Sequence, residues 1–339
     1  MTSQSLYIHI PFCASKCPYC DFYSLCDFSQ QEAYVNRCVE ILRAQDSPWR
    51  TAYIGGGTPS TLEPALLARL LEAIEGEGEF TIECNPASVT PEFCGVIRQG
   101  GINRISLGVQ SAIPSERKAL GRSGDIEAVK RAIEMLATDN LSLDVMLGLP
   151  GQSIASLTRT LEFCAEYARH ISAYLLKIEP GTPFAAHPPE KLPDEDAQAS
   201  AYLYACEWLE SHGFAQYEIS NFAVPGYESL HNLNYWHCGE YFAIGPAAHG
   251  FTRGRRWHYP RDLAAFLRGD APVDDGPGGD YEERAMLALR LNEGFRLPSA
   301  RMTEQARKMP GLVEVDHGRI KLTREGFLLS NTIIGKLLG

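Results

Sequence analysis

The sequence predicts an α/β protein: a curled, incomplete (β/α)6-type barrel followed by a small C-terminal α+β unit of winged-helix-like pattern. Three observations lead there. Between residues 6 and 180, short strand-like runs alternate with amphipathic stretches, the pattern of parallel neighbours joined by right-handed crossovers. The strand runs are apolar on one face only, so one side takes helices and the other encloses something polar. The tract APVDDGPGG at 271–279 then breaks the pattern before a tail of different character. A doubly wound open sheet fits the same order of elements and is the second architecture, because periodicity does not say whether a sheet curls.

Strands are expected at Leu6–Ile10, Thr51–Gly56, Phe80–Asn85, Arg104–Ser111, Ser142–Leu149 and Ser172–Glu179, with helices near 29–45, 61–75, 90–99, 125–138, 152–169 and 194–212. A parallel sheet covered on both faces reads as continuous apolar runs. Here the runs alternate instead. Tyr7 and His9 share one face of the first strand, and Thr81, Glu83 and Asn85 one face of the third. Arg104, Ser106, Gly108 and Gln110 oppose Ile105, Leu107 and Val109, while Ser142, Asp144, Met146 and Gly148 oppose Leu143, Val145 and Leu147. On the sixth strand Lys177 and Glu179 are assigned inward and Tyr174, Leu176 and Ile178 outward. A polar lining needs mutual pairing, water or a polar ligand to be tolerable. Ligands of barrels sit at the C-terminal strand ends, which is where Glu83, Gln110 and Lys177 are expected. A pairing of Asp144 with Lys177 is the alternative to a ligand role for that carboxylate.

Past residue 215 another strand is expected at Phe214–Phe222, then a loop-rich aromatic stretch, then a helix at Asp280–Asn292, a hairpin Leu312–Leu322 turning at Asp316-His317-Gly318, and a final helix. The domain reading is 1–215 for the core, 216–275 for an extension and 276–339 for the small unit. The tail clusters few cations, so DNA binding is not its expected use.

At 339 residues the chain buries about three quarters of its unfolded surface as one large domain with an appendage. Its 31 Lys and Arg against 42 Asp and Glu leave a net charge of −11, which disfavours nucleic acid and anionic lipid as non-specific partners. No run of about 18 apolar residues is present, and MTSQSLYIHIPF lacks the basic and apolar blocks of a secretion signal. Ten cysteines without a paired framework fit a reducing cytoplasm. Peripheral membrane contact, and the choice between monomer and dimer, stay open.

The chemistry concentrates in YIHIPFCASKCPYCDFYS, residues 7–24, where Cys13, Cys17 and Cys20 follow a strand stopped by Pro11. Thiolates select iron–sulfur clusters, zinc or Cu(I). Three of them in one short loop hold three corners of a [4Fe–4S] cluster, whose full complement is four. One iron is then left open to a small molecule. The alternative is a structural zinc site of three thiolates and one imidazole, completed by His9 or a distant histidine, in a metal-stabilised interaction protein. Gly55-Gly56-Gly57-Thr58-Pro59 closes the second strand and lets backbone approach a ligand; it matches neither GxGxxG nor GxxxxGK. In the extension, His231-Asn232-Leu233-Asn234-Tyr235-Trp236 is followed by His237, Cys238 and His249, imidazole and thiolate groups among aromatic rings of the kind that ligate and cover haem. Cys84, Cys94, Cys164 and Cys206 read as small core residues.

The CxxxCxxC loop behind a first strand resembles the radical S-adenosylmethionine (SAM) superfamily. The flanks YIHIPFC and KCPYCDF resemble the branch that holds oxygen-independent coproporphyrinogen III dehydrogenases and haem chaperones, and the likeness runs over roughly residues 6–260. It implies that the open iron is chelated by the amino and carboxylate groups of SAM, whose cleavage yields a 5′-deoxyadenosyl radical. It also implies that Gly56, Gly57 and Thr58 meet the cofactor's amino group, that Tyr7 and Glu83 contact its methionine and ribose, and that Tyr19 approaches adenine. Gln110, Arg122 and Asp144 are implied to line a deeper pocket, and His249 is placed among the cofactor contacts. His231 belongs to an HNxxYW motif of the haem-chaperone branch, with His237 and Cys238 as further candidates for haem. Two departures favour that branch over the decarboxylating dehydrogenase. The dehydrogenases read CxxCxC where Cys20 is followed here by Asp21 and Phe22, and they carry a longer segment ahead of the first strand. The expectation is therefore a [4Fe–4S] protein that binds SAM and haem and delivers haem to apo-haemoproteins. Coproporphyrinogen oxidative decarboxylation in porphyrin biosynthesis is the alternative.

Overall fold

The computed structural model describes residues 5–45, 48–122 and 125–339. Six parallel strands form its centre: β1 (Ser5–Ile10), β2 (Trp49–Gly56), β3 (Gly76–Cys84), β4 (Arg104–Gln110), β5 (Leu141–Leu147) and β6 (His170–Leu175), neighbours in that order. The crossovers carry α1 (Gln31–Arg43), α2 (Pro64–Leu71), α3 (Pro91–Gln99), α4 (Pro114–Ala119), α5 (Ile126–Leu136) and α6 (Ile154–Tyr167). Several helices start where a short polar side chain caps free N–H groups. Thr90 accepts from Phe93 N–H, Asp125 from Ala128 N–H, and Ser153 forms a reciprocal capping box with Ser156.

Alternation along the strands decides which face meets the helices. Leu6, Ile8 and Ile10 of β1, Ile105, Leu107 and Val109 of β4, and Leu143, Val145 and Leu147 of β5 are all buried on that side. They pack with Tyr34, Val35 and Cys38 of α1, Leu67 and Leu70 of α2, Val129 of α5 and Leu157 of α6 in one continuous core. Each such side chain contributes about 1.5–3 kcal/mol on burial. The opposite face keeps its polar residues for a cavity.

The sheet does not close. β9 (Tyr241–Ile244) adds to the outer edge of β1 in parallel, and β10 (His249–Thr252), β11 (Arg255–His258) and β12 (Val273–Pro277) extend it antiparallel. On the other side β6 pairs with β8 (Asn221–Ala223), which pairs with β7 (Ala215–Gln216), giving twelve strands in one open sheet among the described residues. Two expectations change here. The single strand expected over 214–222 is a short hairpin, β7 and β8. Part of the tract read as a boundary, Val273–Pro277, is an edge strand held by β11.

A second sheet of three strands, β13 (Phe295–Arg296), β14 (Val313–Asp316) and β15 (Arg319–Leu322), lies in the tail, with β15 central. Its hairpin turns at His317-Gly318, both at positive φ. The tail is tied back to the core by Ile219 N–H to Arg290 C=O at 3.0 Å and Asn292 N–H to Tyr217 C=O at 3.0 Å.

Candidate functional site

The polar faces of β2 through β6 and the loop after β1 enclose one cavity of about 390 Å3. Cys13, Cys17 and Cys20 stand at its cysteine-loop end together with Gly56, Gly57 and Thr58. The loop is anchored by backbone bonds, Cys13 N–H to Leu25 C=O (3.0 Å) and Leu25 N–H to Pro11 C=O (2.8 Å). His9 adds a side-chain anchor. Its Nε2–H donates to the Tyr23 carbonyl at 2.8 Å, so Nδ1 accepts from the Tyr7 hydroxyl at 3.0 Å. Burial pushes the His9 imidazole below its ordinary pKa. With both nitrogens engaged, His9 is no fourth ligand, which removes the zinc set of three thiolates with His9.

The consecutive glycines have a packing reason that the sequence reading did not see. A Cβ on Gly55 would sit 2.9 Å from the Glu83 carboxyl, on Gly56 2.6 Å from the His9 ring, and on Gly57 2.6 Å from the Phe12 carbonyl oxygen. Gly56 also has φ +105°, a conformation that favours glycine. The N–H groups of Gly57 and Thr58 donate to Ile10 and Phe12 C=O, both at 2.7 Å, stitching the glycine ridge to the cysteine loop. Thr58 Oγ1 lies 3.4 Å from Cys13 Sγ.

The three thiols suit a cationic metal cluster. Burial raises the Cys20 pKa, the Phe22 N–H works against that, and the nearby Cys17 and Cys13 raise it further. Three thiolates within Coulomb range of each other require positive charge between them. The same cavity is also lined by Cys84, whose neighbours are Cys94 and Ser60, and by His170, whose two ring nitrogens are bonded to Ser142 and Tyr217. Cys13, Cys17 and Cys20 would hold the cluster, in the cavity that Gly56, Gly57 and Thr58 also line.

Deeper in, Glu83 accepts from the Tyr53 hydroxyl (2.7 Å) and the Gly56 N–H (3.2 Å). Burial nonetheless raises its carboxyl to about 7. Asp144 accepts from the Ser106 hydroxyl at 3.1 Å and is likewise raised by burial, to about 6. Arg122 donates to the Tyr19 hydroxyl at 3.2 Å and packs over Gly108. Gln110 sits at φ +68°, beside a register shift between β4 and β5, and accepts from the Tyr174 hydroxyl at 3.0 Å. A left-handed non-glycine residue at a bulge is a strained device typical of sites.

The structure brings together Tyr19, Gly56, Gly57, Thr58, Glu83, Gln110, Arg122 and Asp144 with the three cysteines. Tyr7 stands behind the wall, its ring 6.4 Å from that of Tyr53, which does line the cavity. Tyr53, His170 and Tyr174 also face the cavity and were not assigned to it from sequence, while Arg104, read on the polar face of β4, faces it as expected. Tyr53 was legible as the residue alternating with Ala52 and Ile54. For β6 the assigned face is inverted: His170, Ser172 and Tyr174 point inward, whereas Lys177 is 77% exposed and pairs with Glu179 at 2.6 Å, not with Asp144. The strand begins two residues earlier than expected and ends at Leu175, before Lys177 can follow its alternation.

The four candidates for haem ligation do not converge. His231 is fully buried in the short helix Leu230–Trp236, with Nδ1 bonded to Thr51 Oγ1 (2.8 Å) and Nε2 to the Tyr235 hydroxyl (2.7 Å). Burial lowers its pKa to about 3. That is a structural imidazole in this conformation. His237 is half exposed and bonds Glu293 at 2.8 Å. Cys238 is buried near Arg256. His249 lies outside the cavity, stacked on His258; with Asp275 they form a group whose ligand atoms are within 4.8 Å of one another.

A parallel half-open sheet with a thiol triad on the loop after β1, a glycine ridge after β2 and an acid on β3 defines the radical SAM class. The Radical SAM superfamily profile matches residues 7–164. The chain is 34% identical to heme chaperone HemW of Mycobacterium tuberculosis, over 98% of this chain and 94% of that one. It is 33% identical to the Lactococcus lactis HemW, over 99% and 97%. The Escherichia coli HemW is 39% identical over 78% and 76%. The chain belongs to the HemW family. Its fold superposes on coproporphyrinogen III oxidase (HemN) of Escherichia coli with a TM-score of 0.83, covering 99% of this chain and 90% of that one, at 20% identity.

Proposed function

We propose that the protein is a radical SAM-type haem chaperone, binding a [4Fe–4S] cluster, SAM and haem and delivering haem to apo-haemoproteins in the cytoplasm. The observation that carries this is the end-to-end relationship to HemW proteins, 34% identity over 98% of the chain. Phe22, 59% exposed at the cavity mouth where the decarboxylating relatives carry a further cysteine, supports the same branch. Among the described residues no helix is long and apolar enough to cross a membrane.

When bound, the cluster supplies electrons and an open iron site for SAM. The chain's own residues do the rest. Cys13, Cys17 and Cys20 hold the cluster, and the ridge Gly56–Thr58 keeps side chains out of the space beside it. The raised Glu83 carboxyl, between the Tyr53 hydroxyl and the Gly56 N–H, offers an acceptor to a hydroxyl or ammonium group of the cofactor. Tyr19 and Arg122, bonded to each other, line the same cavity. Haem ligation falls to the exposed candidates His237 and His249 rather than to His231, whose nitrogens are both used.

The test is made anaerobically on reconstituted protein. About four irons per chain, a Soret band on haem titration, and transfer of that haem to an apo-haemoprotein are expected. Coproporphyrinogen III, SAM and reductant together should give no decarboxylated product. Product formation would assign the chain to the dehydrogenases instead.

A further inference from the structure

The cavity does not end at the residues that face the cysteine loop. It runs down β4 to Arg104, the first residue of that strand, which lines it at 2% exposure. The Nε and Nη2 atoms of Arg104 have no hydrogen-bond partner. The nearest carboxylate, Glu79, has an oxygen 4.0 Å from Nε. That carboxylate is already committed. It accepts from Leu230 N–H and His231 N–H, each at 3.0 Å, and faces the Ser229 hydroxyl at 3.4 Å. The hydroxyl of Thr81, the register partner of Arg104 across β3 and β4, is also buried and without a partner. The histidine on the adjoining wall offers nothing, since His170 bonds Ser142 through Nδ1 and Tyr217 through Nε2, both at 2.8 Å.

The floor therefore presents a guanidinium whose Nε and Nη2 lack hydrogen-bond partners, beside a Glu79 carboxylate that already accepts three hydrogen bonds. A guanidinium stays charged at any working pH, and burying it with two of its nitrogens unbonded is costly even beside a carboxylate. Its fork matches a carboxylate or a phosphate. A monoanion suits this floor better, because Glu79 stands beside Arg104 and would repel a second negative charge. Along β4, Arg104 lies roughly 20 Å from Gln110 and two residues before Ser106, the register partner of Glu83.

We propose that the cavity floor is a carboxylate subsite in which Arg104 holds one carboxylate of a ligand lying below the cofactor contacts. The same chemistry is available from two sources: the amino-acid end of an adenosyl ligand placed deep in the cavity, or a carboxylate side arm of the tetrapyrrole. The second source rests on the haem reading above; the first does not.

The test compares wild type with Arg104→Gln, both full-length and cluster-reconstituted, by calorimetric titration with matched probes. S-adenosylhomocysteine is paired with 5′-methylthioadenosine, which lacks the amino-acid carboxylate. Haem is paired with haem dimethyl ester, whose side arms are neutral. We expect the substitution to weaken one carboxylate-bearing probe at least about tenfold and to leave its neutral counterpart unchanged. Loss confined to S-adenosylhomocysteine identifies the adenosyl source, and loss confined to haem the tetrapyrrole. Equal affinities of both proteins for every probe overturn the subsite and leave Arg104 a hydrated structural cation. Absence of any haem binding by wild type sinks the haem reading alone, and the adenosyl pair then decides the subsite. Should Arg104→Gln fail to fold, wild-type crystals grown with each carboxylate probe decide: a carboxylate oxygen within hydrogen-bond distance of Arg104 supports the subsite, and water alone there overturns it.

Discussion

The cavity under the parallel strands and the extension that carries the HNxxYW motif are built on opposite terms. In the first, side chains from five strands and one loop converge because each strand must turn alternate residues inward. In the second, His231, His237, Cys238 and His249 lie within nineteen positions of one another, yet each has a different neighbourhood. Closeness in sequence produced no common site there, whereas residues far apart in sequence share one cavity. Shared strand registers make a site legible; clustering of ligand-type residues in a loop-rich segment does not.

The sharpest break of that comparison comes from the thiol triad. Replacing any of Cys13, Cys17 or Cys20 with Ala should abolish cluster assembly, read as iron content after anaerobic reconstitution, with the fold retained by circular dichroism. Retention of a full complement of iron in a single variant would show that the cavity end is not the cluster site. Gly57→Ala is expected to act next most strongly. Its Cβ would lie 2.6 Å from the Phe12 carbonyl oxygen and 2.8 Å from that of Ile10, so the cysteine loop must move and iron content should fall severalfold.

On the side of the extension, His231→Ala should cost stability rather than ligation. It leaves Thr51 and Tyr235 without a partner in a buried place, about 2–4 kcal/mol by denaturant unfolding. The haem spectrum should stay unchanged. A lost or shifted Soret band at unaltered stability would reverse this assignment.

Acidity sharpens the contrast further. Glu83 is raised from 4.5 to about 7 by burial, so its unfolded form ionises first as pH rises. In cofactor-free protein the stability it carries is full below about 4.5 and lost progressively up to about 7, on the order of 3 kcal/mol. Comparing wild type with Glu83→Gln by thermal melting across that window should show the wild type losing ground as pH rises. Parallel curves would mean that the carboxyl is not desolvated. The smallest effect belongs to Lys177→Ala. With the side chain 77% exposed and paired only with Glu179, it should move stability by less than about 0.5 kcal/mol and leave cofactor affinity alone.

Much of the cavity could be read before folding. The alternation of Arg104, Ser106, Gly108 and Gln110 against Ile105, Leu107 and Val109 placed a polar face on β4, and the same reasoning placed Glu83 and Asp144. It failed on β6, where the apolar look of Tyr174, Leu176 and Ile178 outweighed the polar His170 and Ser172 of the same parity. Tyr174 is amphipathic: its hydroxyl reaches Gln110 across the cavity while its ring packs with Met146 and Leu176. It also failed to foresee why three glycines stand at the end of β2. Their neighbours are the His9 ring, the Glu83 carboxyl and a loop carbonyl, none of them near in sequence.

By itself the sequence determined the strand and helix order, the one-sided polarity of the sheet and the thiol triad. All of these follow from local periodicity and from ligand chemistry within a few residues. Only the tertiary structure decided that the sheet stays open with added antiparallel edges, that His9 and His231 spend both nitrogens on internal bonds, and that Arg104 is left with donors unpaired. Those outcomes depend on which distant groups meet in a desolvated interior. There each hydrogen bond made or missed is worth a kcal/mol or more, and no local pattern records it.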